Sequence, residues 1–168
     1  MTETLPPIVA ATSDDVPTIA HLVAEAFGPL RASQWLVPDP GARQTAMAGQ
    51  FAILVDHALR YGHADLLADG SAVAVWFHRD QPIAPPPDYD RRLIAACGES
   101  TDRFRTLDDL FETHHPTQPH HHLAMLAVHL GQQSTGRGTL LLRHLLCATS
   151  VCPSLLVDSG QSGHMYCI

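Results

Sequence analysis

The sequence predicts an α/β fold, and three observations predict it. A short apolar strand at Ile8 to Ala11 leads into two stretches of helical periodicity. The dipeptide Asp69-Gly70 separates two apolar runs, as in a β-hairpin. An apolar strand at Leu123 to Val128 then passes through a glycine-bearing turn into a leucine-rich helix. Strand and helix patterns in this order bury a sheet against helices. With 168 residues and 45% apolar content, the chain is long enough for one core.

Each element follows from local chemistry. Thr12-Ser13-Asp14-Asp15 offers side-chain oxygens for an N-cap, and Pro17 falls in the first turn, where a missing N–H is harmless. Val16, Ile19, Val23 and Phe27 recur at helical spacing before Gly28. Pro29 to Pro40, with Trp35 inside it, reads as a loop. A second helix is predicted from about Gly41 to Tyr61, closed by Gly62. His63 to Ala68 and Ser71 to His78 are the hairpin strands; in the second, Val73, Val75 and Phe77 alternate with Ala74 and Trp76. Gln81 to Pro87 is stiff and extended. Helices are predicted near Tyr89 to Ala96 and Arg105 to Thr113, and a His/Pro-rich stretch, His114 to His122, leads into the last strand.

Bulk charge excludes some functions. All ten basic residues are arginine, against seventeen carboxylates, and the net charge of −7 argues against nonspecific nucleic-acid binding. The same balance suits a cationic partner such as an amine. No apolar run approaches the roughly 18 residues of a membrane span, and the start Met-Thr-Glu-Thr has no secretory pattern, so a cytoplasmic protein with no membrane partner is expected. Of four cysteines, Cys147, Cys152 and Cys167 lie near the C-terminus without a CxxC pair, and reduced thiols are expected.

The turn before the leucine-rich helix reads Gln133-Ser134-Thr135-Gly136-Arg137-Gly138, the pattern Q-x-x-G-x-G. A helix N-terminus entered through such a turn leaves several backbone N–H groups pointing one way, an arrangement that suits a pyrophosphate. A P-loop is excluded because the chain has no lysine, and the dinucleotide fingerprint needs a further glycine at another spacing.

This segment resembles the acetyl-CoA-binding segment of the GNAT superfamily of N-acetyltransferases. Leu126-Ala127-Val128-His129 resembles the end of the family's fourth strand. Gln133, Gly136 and Gly138 fall on its Q/R-x-x-G-x-G/A signature, and Leu140, Leu141, Leu142 and Leu145 resemble the buried face of the next helix. The specific motifs cover residues 122–146 and the general pattern 8–158. The resemblance implies a mixed, mostly antiparallel sheet flanked by helices. It also implies one domain over 1–158 with an insertion at about 82–119, followed by an irregular tail, 159–168.

The implied activity is transfer of an acetyl group from acetyl-CoA, as co-substrate and without a metal, to a primary amine of a small molecule or peptide. Backbone groups of Leu126, Ala127 and Val128 would lie along the pantetheine arm. Gln133 and the amides of Ser134, Thr135, Gly136, Arg137, Gly138 and Thr139 would take the pyrophosphate, with the Arg137 side chain open between phosphate and solvent. Serotonin N-acetyltransferase and its relatives carry His-x-His-x-Leu-Ala-Val-His here; this chain keeps the first histidine as His122, the candidate general base, replaces the second with Ala124, and keeps the last as His129. Period 2 places His122, Ala124, Leu126 and Val128 on one face. Trp35, in the loop from Leu30 to Asp39, would wall the acceptor, and Asp39 or Glu99 would attract an amine.

The C-terminal end departs from the family. Ser154 to Asp158 fits the fifth strand, but Ser159 to Ile168 shows no apolar period, so a truncated or altered C-terminus, lacking the last helix and closing strands, is expected. The family's general acid is a tyrosine on that helix; Tyr166 stands outside its sequence context. An uncovered C-terminal sheet edge favours pairing, a homodimer included. Two alternatives stay open: a degenerate GNAT-like protein that binds CoA weakly or serves as a non-catalytic module, and a metal binder using His114, His115, His120, His121 and His122. Against the metal binder, adjacent histidines cannot all face one ion.

Overall fold

The computed structural model describes residues 4–148. The strand expected at Ser154 to Asp158, Tyr166 and the tail 159–168 lie outside the described residues. Four strands, β1 (Ile8–Ala10), β2 (Gly62–Leu67), β3 (Ala72–Arg79) and β4 (His120–Val128), form one antiparallel sheet in the order β1-β2-β3-β4. Six α-helices, α1 (Val16–Phe27), α2 (Arg31–Leu36), α3 (Pro40–Tyr61), α4 (Tyr89–Cys97), α5 (Thr101–His114) and α6 (Arg137–Ala148), and three 3-10 turns, Ser13–Asp15, Gly98–Ser100 and Leu130–Gln132, complete the described chain. Among the described residues no helix is long and apolar enough to cross a membrane.

The strands' period of two sorts side chains onto the two faces of the sheet. Ala64, Leu66, Val73, Val75, Phe77, Met125 and Ala127 join the core formed with α1 to α5, including Ile19, Val23, Met47, Val55, Leu93 and Phe104. Leu67, Ala72, Ala74 and Trp76 point the other way, to Leu141 and Leu145 of α6. The result is helices on both faces, five on one side and α6 on the other.

Local signals act largely as read. The Asp15 carboxylate accepts from the Thr12 N–H at 2.8 Å, just before α1. Asp39 caps α3 by accepting from Gly41 N–H at 2.9 Å. Gly70 turns the hairpin with φ 73°, its N–H bonded to Leu67 O at 2.7 Å. Between β3 and β4, α4 lies against α3 so closely that a Cβ on Gly49 would sit 2.7 Å from the Ala96 Cβ. The Tyr89 hydroxyl donates to Asp108 at 2.6 Å and joins α4 to α5.

Four expectations need correction. The segment Pro29 to Pro40 is not all loop: Arg31–Leu36 is helical, with Ser33 and Leu36 buried, so tertiary burial sustains a helix too short to announce itself beside three prolines. Helix α5 begins at Thr101 rather than Arg105, because the Thr101 hydroxyl bonds Gly98 O at 2.6 Å and Phe104 is buried. Strand β4 begins at His120, since His120, His121 and His122 pair with Arg79, His78 and Phe77. The predicted shared face for His122, Ala124, Leu126 and Val128 is broken by a bulge. Val75 faces Met125 but Trp76 faces Leu123, so the register skips Ala124. One extra residue inverts the alternation: His122 shares Phe77's face, toward α3, while Leu126 and Val128 face α6.

Candidate functional site

The candidate site follows the C-terminal half of β4 into the N-terminus of α6. His129 N–H bonds Ser71 O at 2.8 Å, which marks His129 and Ser71 as a hydrogen-bonded pair across β3 and β4. Counting back by twos, Ala127 and Met125 also direct their amides at β3. Leu126 and Val128 therefore direct N–H and C=O away from it, onto the β4 edge that no other described strand covers. The Gln133 side-chain amide meets Val128 O on that side at 3.4 Å.

The turn itself is exposed from Gln133 to Gly136. Ser134 has φ 62° and Gly136 φ 88°, two left-handed residues flanking Thr135. Alternation of hand along a turn gathers successive N–H groups into a concavity that accepts an anion. The first bond of α6 runs from Leu140 N–H to Gly136 O at 2.9 Å, which places the Gly138 and Thr139 amides in the first turn, ahead of any intrahelical carbonyl partner. Gly138 lies directly over the strand: a Cβ there would meet Val128 at 3.6 Å and Leu126 at 3.7 Å. The strand and turn parts of the predicted donor site are thus contiguous, and a pantetheine arm with its pyrophosphate fits their donor set.

Arg137 takes a position its sequence neighbours do not reveal. Its side chain is only 4% exposed. Nε donates to Ser71 Oγ at 3.0 Å, Nη1 to Thr135 Oγ1 at 2.9 Å, and Nη2 lies 3.8 Å from Asp69 Oδ2. The guanidinium is turned into the hairpin. Asp69 is held below the ordinary carboxylate range, first by the Ser71 hydroxyl and also by the Ser71 amide and Arg137. Ser71 carries no motif and Asp69 only the hairpin signal, so the long-range contact alone reveals that they hold Arg137.

On the other face, His122 stacks with Phe77 and meets His115, at centroid distances of 6.2 and 4.7 Å. His115 Nε2 lies 3.0 Å from His120 Nε2, and His120 Nδ1 lies 2.7 Å from Gln118 O. A carbonyl only accepts, so His120 carries its proton on Nδ1. In that tautomer the His120 Nε2 is the acceptor, and His115 donates. Burial, then Arg79 and His120, hold the His115 imidazole below its ordinary value. His57 sits beside Phe77 and is lowered first by burial. His129, at the strand end, accepts from Gly131 N–H at 3.2 Å through Nδ1 and meets Glu25 at 3.3 Å through Nε2. Among the described residues no group of three or more His, Cys, Asp or Glu is arranged to hold a metal ion.

Asp39 and Glu99 come together on one open cleft of about 720 Å³, between the start of α3 and the α4–α5 corner. That cleft includes Ala46 of α3, whereas His57 beside Phe77 lies eleven residues further along the same helix. At 1.5 Å per residue the separation is roughly 16 Å, so the cleft and His122 belong to different ends of the helix layer. Trp35 is half exposed; its carbonyl accepts from Arg103 at 2.5 Å.

No protein-family model matches the chain. Among solved structures, it is similar to one described as histone acetyltransferase HPA2 and related acetyltransferase, from Corynebacterium glutamicum. The TM-score is 0.63 and the identity 24%, over 87% of this chain and 72% of that one. The two share a fold, an antiparallel sheet flanked by helices.

Proposed function

We propose that the chain binds acetyl-CoA along the open edge of β4 and across the turn before α6, and transfers the acetyl group to a primary amine of a small molecule or peptide. One observation carries this reading. The outward-facing amides of Leu126 and Val128 lie beside a turn with left-handed residues at 134 and 136, at a helix N-terminus that packs over the strand through Gly138. Gln133, Ser134, Thr135, Gly136, Gly138 and Thr139 line the pyrophosphate position, and Arg137 contributes its backbone there while its side chain serves the hairpin.

Acetyl-CoA supplies a thioester carbonyl. An amide of Leu126 or Val128, fixed on the strand, stabilises the negative charge that develops on the carbonyl oxygen when an amine attacks. His122 takes a proton from the acceptor ammonium, directly or through one water, and so frees the nitrogen lone pair for attack. The C–N bond forms, the C–S bond breaks, and the thiolate leaves as the thiol with the proton that the attacking nitrogen sheds. The structural neighbour is described as a histone acetyltransferase. Lysine-bearing basic peptides therefore belong on the acceptor panel beside small amines, and the net charge of −7 suits both.

Calorimetry with acetyl-CoA followed by a thiol-release assay across that panel tests the reading. Binding heat and amine-dependent thiol release are expected. No heat and no thermal shift at millimolar acetyl-CoA would remove the donor site. Binding without release on any amine would leave a non-catalytic CoA-binding module.

A further inference from the structure

Between the hairpin and the turn runs a continuous polar chain. Asp69 Oδ1 accepts from the Ser71 hydroxyl at 2.6 Å and from the Ser71 N–H at 3.0 Å. Ser71 Oγ accepts from Arg137 Nε, Arg137 Nη1 donates to Thr135 Oγ1, and Thr135 Oγ1 donates to Gln132 O at 2.6 Å. Ser71 O also receives the His129 N–H, so one residue joins the hairpin, the end of β4 and the turn. The two ends of this chain differ in strength. Gly70 turns a hairpin whose flanking strands are buried, whereas the 133–136 turn is exposed and holds a serine at φ 62°, a conformation L-residues adopt at a cost. A short exposed turn in a strained conformation keeps one shape only if something fixes it. The buried guanidinium fixes it, with two directed hydrogen bonds that span the turn and the hairpin.

We infer that Arg137 is a positioning residue: it sets the shape of the pyrophosphate-binding turn from the β2–β3 hairpin, through Ser71, without touching the phosphates itself. The inference rests on the acetyl-CoA reading above. It predicts a selective effect. A donor that lacks the pyrophosphate, such as S-acetyl-pantetheine, reaches only the β4 edge and does not depend on the turn. Arginine is also specific here, because a lysine ammonium keeps the charge but cannot make the Nε and Nη1 bonds together.

The experiment is a steady-state comparison of acetyl-CoA with S-acetyl-pantetheine in the full chain. Its variants are Arg137→Lys, Ser71→Ala and Ser71→Thr. Loss of a directed bond from a charged donor corresponds to roughly tenfold, so Arg137→Lys and Ser71→Ala should raise the acetyl-CoA KM by about that factor. Their kcat should change little, and S-acetyl-pantetheine kinetics should be unaffected. Ser71→Thr keeps the hydroxyl and should restore the wild-type KM. Equal losses on both donors would mean that Arg137 only staples the fold. An unchanged acetyl-CoA KM in Ser71→Ala, beside a raised one in Arg137→Lys, would make Arg137 a direct phosphate ligand. Either result overturns the inference. If the wild-type chain shows no acetyl-CoA binding at all, it is the donor-site reading that fails, and calorimetry on the wild type separates that case first.

Discussion

The two faces of β4 place their chemistry in different parts of the chain. Along the open β4 edge and at the start of α6 the candidate site is backbone: outward amides at Leu126 and Val128, the left-handed residues Ser134 and Gly136, and the first-turn amides of α6. On the opposite side it is side chain: His122 among Phe77, His115 and His120, with His57 beyond Phe77. The first needs only that a few residues hold unusual dihedral angles. The second needs β3, β4, α3 and the end of α5 to meet. A backbone site should tolerate side-chain truncation and fail when φ is disturbed, and an imidazole site should do the reverse and respond to pH.

The largest expected effect tests the side-chain face. His122→Ala should lower kcat by roughly 10² to 10⁴, the usual contribution of a positioned base, while acetyl-CoA still binds as in the wild type. Calorimetry beside turnover reads both quantities. If kcat falls less than threefold, the base lies elsewhere. Next comes the backbone face. Gly136→Val forces a β-branched residue to φ 88°, and strain of about 1–3 kcal/mol there should weaken acetyl-CoA binding by about ten- to a hundredfold. The Tm of the unliganded chain should move by only a few degrees, because the turn is exposed. A large Tm loss with intact binding would show that the turn supports the fold and not the ligand.

The same contrast decides what was legible beforehand. Hairpin, turn and α6 are encoded by residues close in sequence: Asp69-Gly70, Gly136 and the leucines after it. Such signals act through local dihedral preference and period. The Ala124 bulge is not encoded that way. Period 2 in the sequence runs straight through residues 122–128, and only pairing with β3 shows that one residue is skipped. The orientation of Arg137 is equally silent, since its partner Ser71 is 66 positions away. The contact between His115 and His122 depends on how α5 packs before the chain enters β4. Thus the turn and its neighbouring elements could be read from one segment, whereas the surroundings of His122 could not.

A smaller effect is a pH dependence of stability, to which histidines on both faces contribute. His57, His78 and His115 are all held below the ordinary imidazole value of 6.5, each first by burial. An imidazole whose folded value is depressed binds fewer protons in the native state than when unfolded, so stability rises with pH across that window. The contribution is complete above about pH 6.5 and is lost as pH falls toward the folded values. Denaturant midpoints should therefore drop as pH falls below 6.5. His115→Gln should flatten that dependence, and leaving the slope unchanged would remove His115 from the group that sets it.

The smallest expected effect is the sharpest test of the backbone face. Ser134 pays the cost of an L-residue at φ 62°, about 1–2 kcal/mol for the left-handed region. Glycine would relieve that cost, but it gives back roughly 0.5–1 kcal/mol through the greater freedom of the unfolded chain. The two nearly cancel, and Ser134→Gly should leave the Tm almost unchanged. If the amides hold the pyrophosphate, affinity for acetyl-CoA should stay within about threefold, since no amide is lost and the turn adopts its shape at least as readily. A tenfold loss would mean that the Ser134 hydroxyl meets the ligand, and the α6 side would then be a side-chain site like its opposite face.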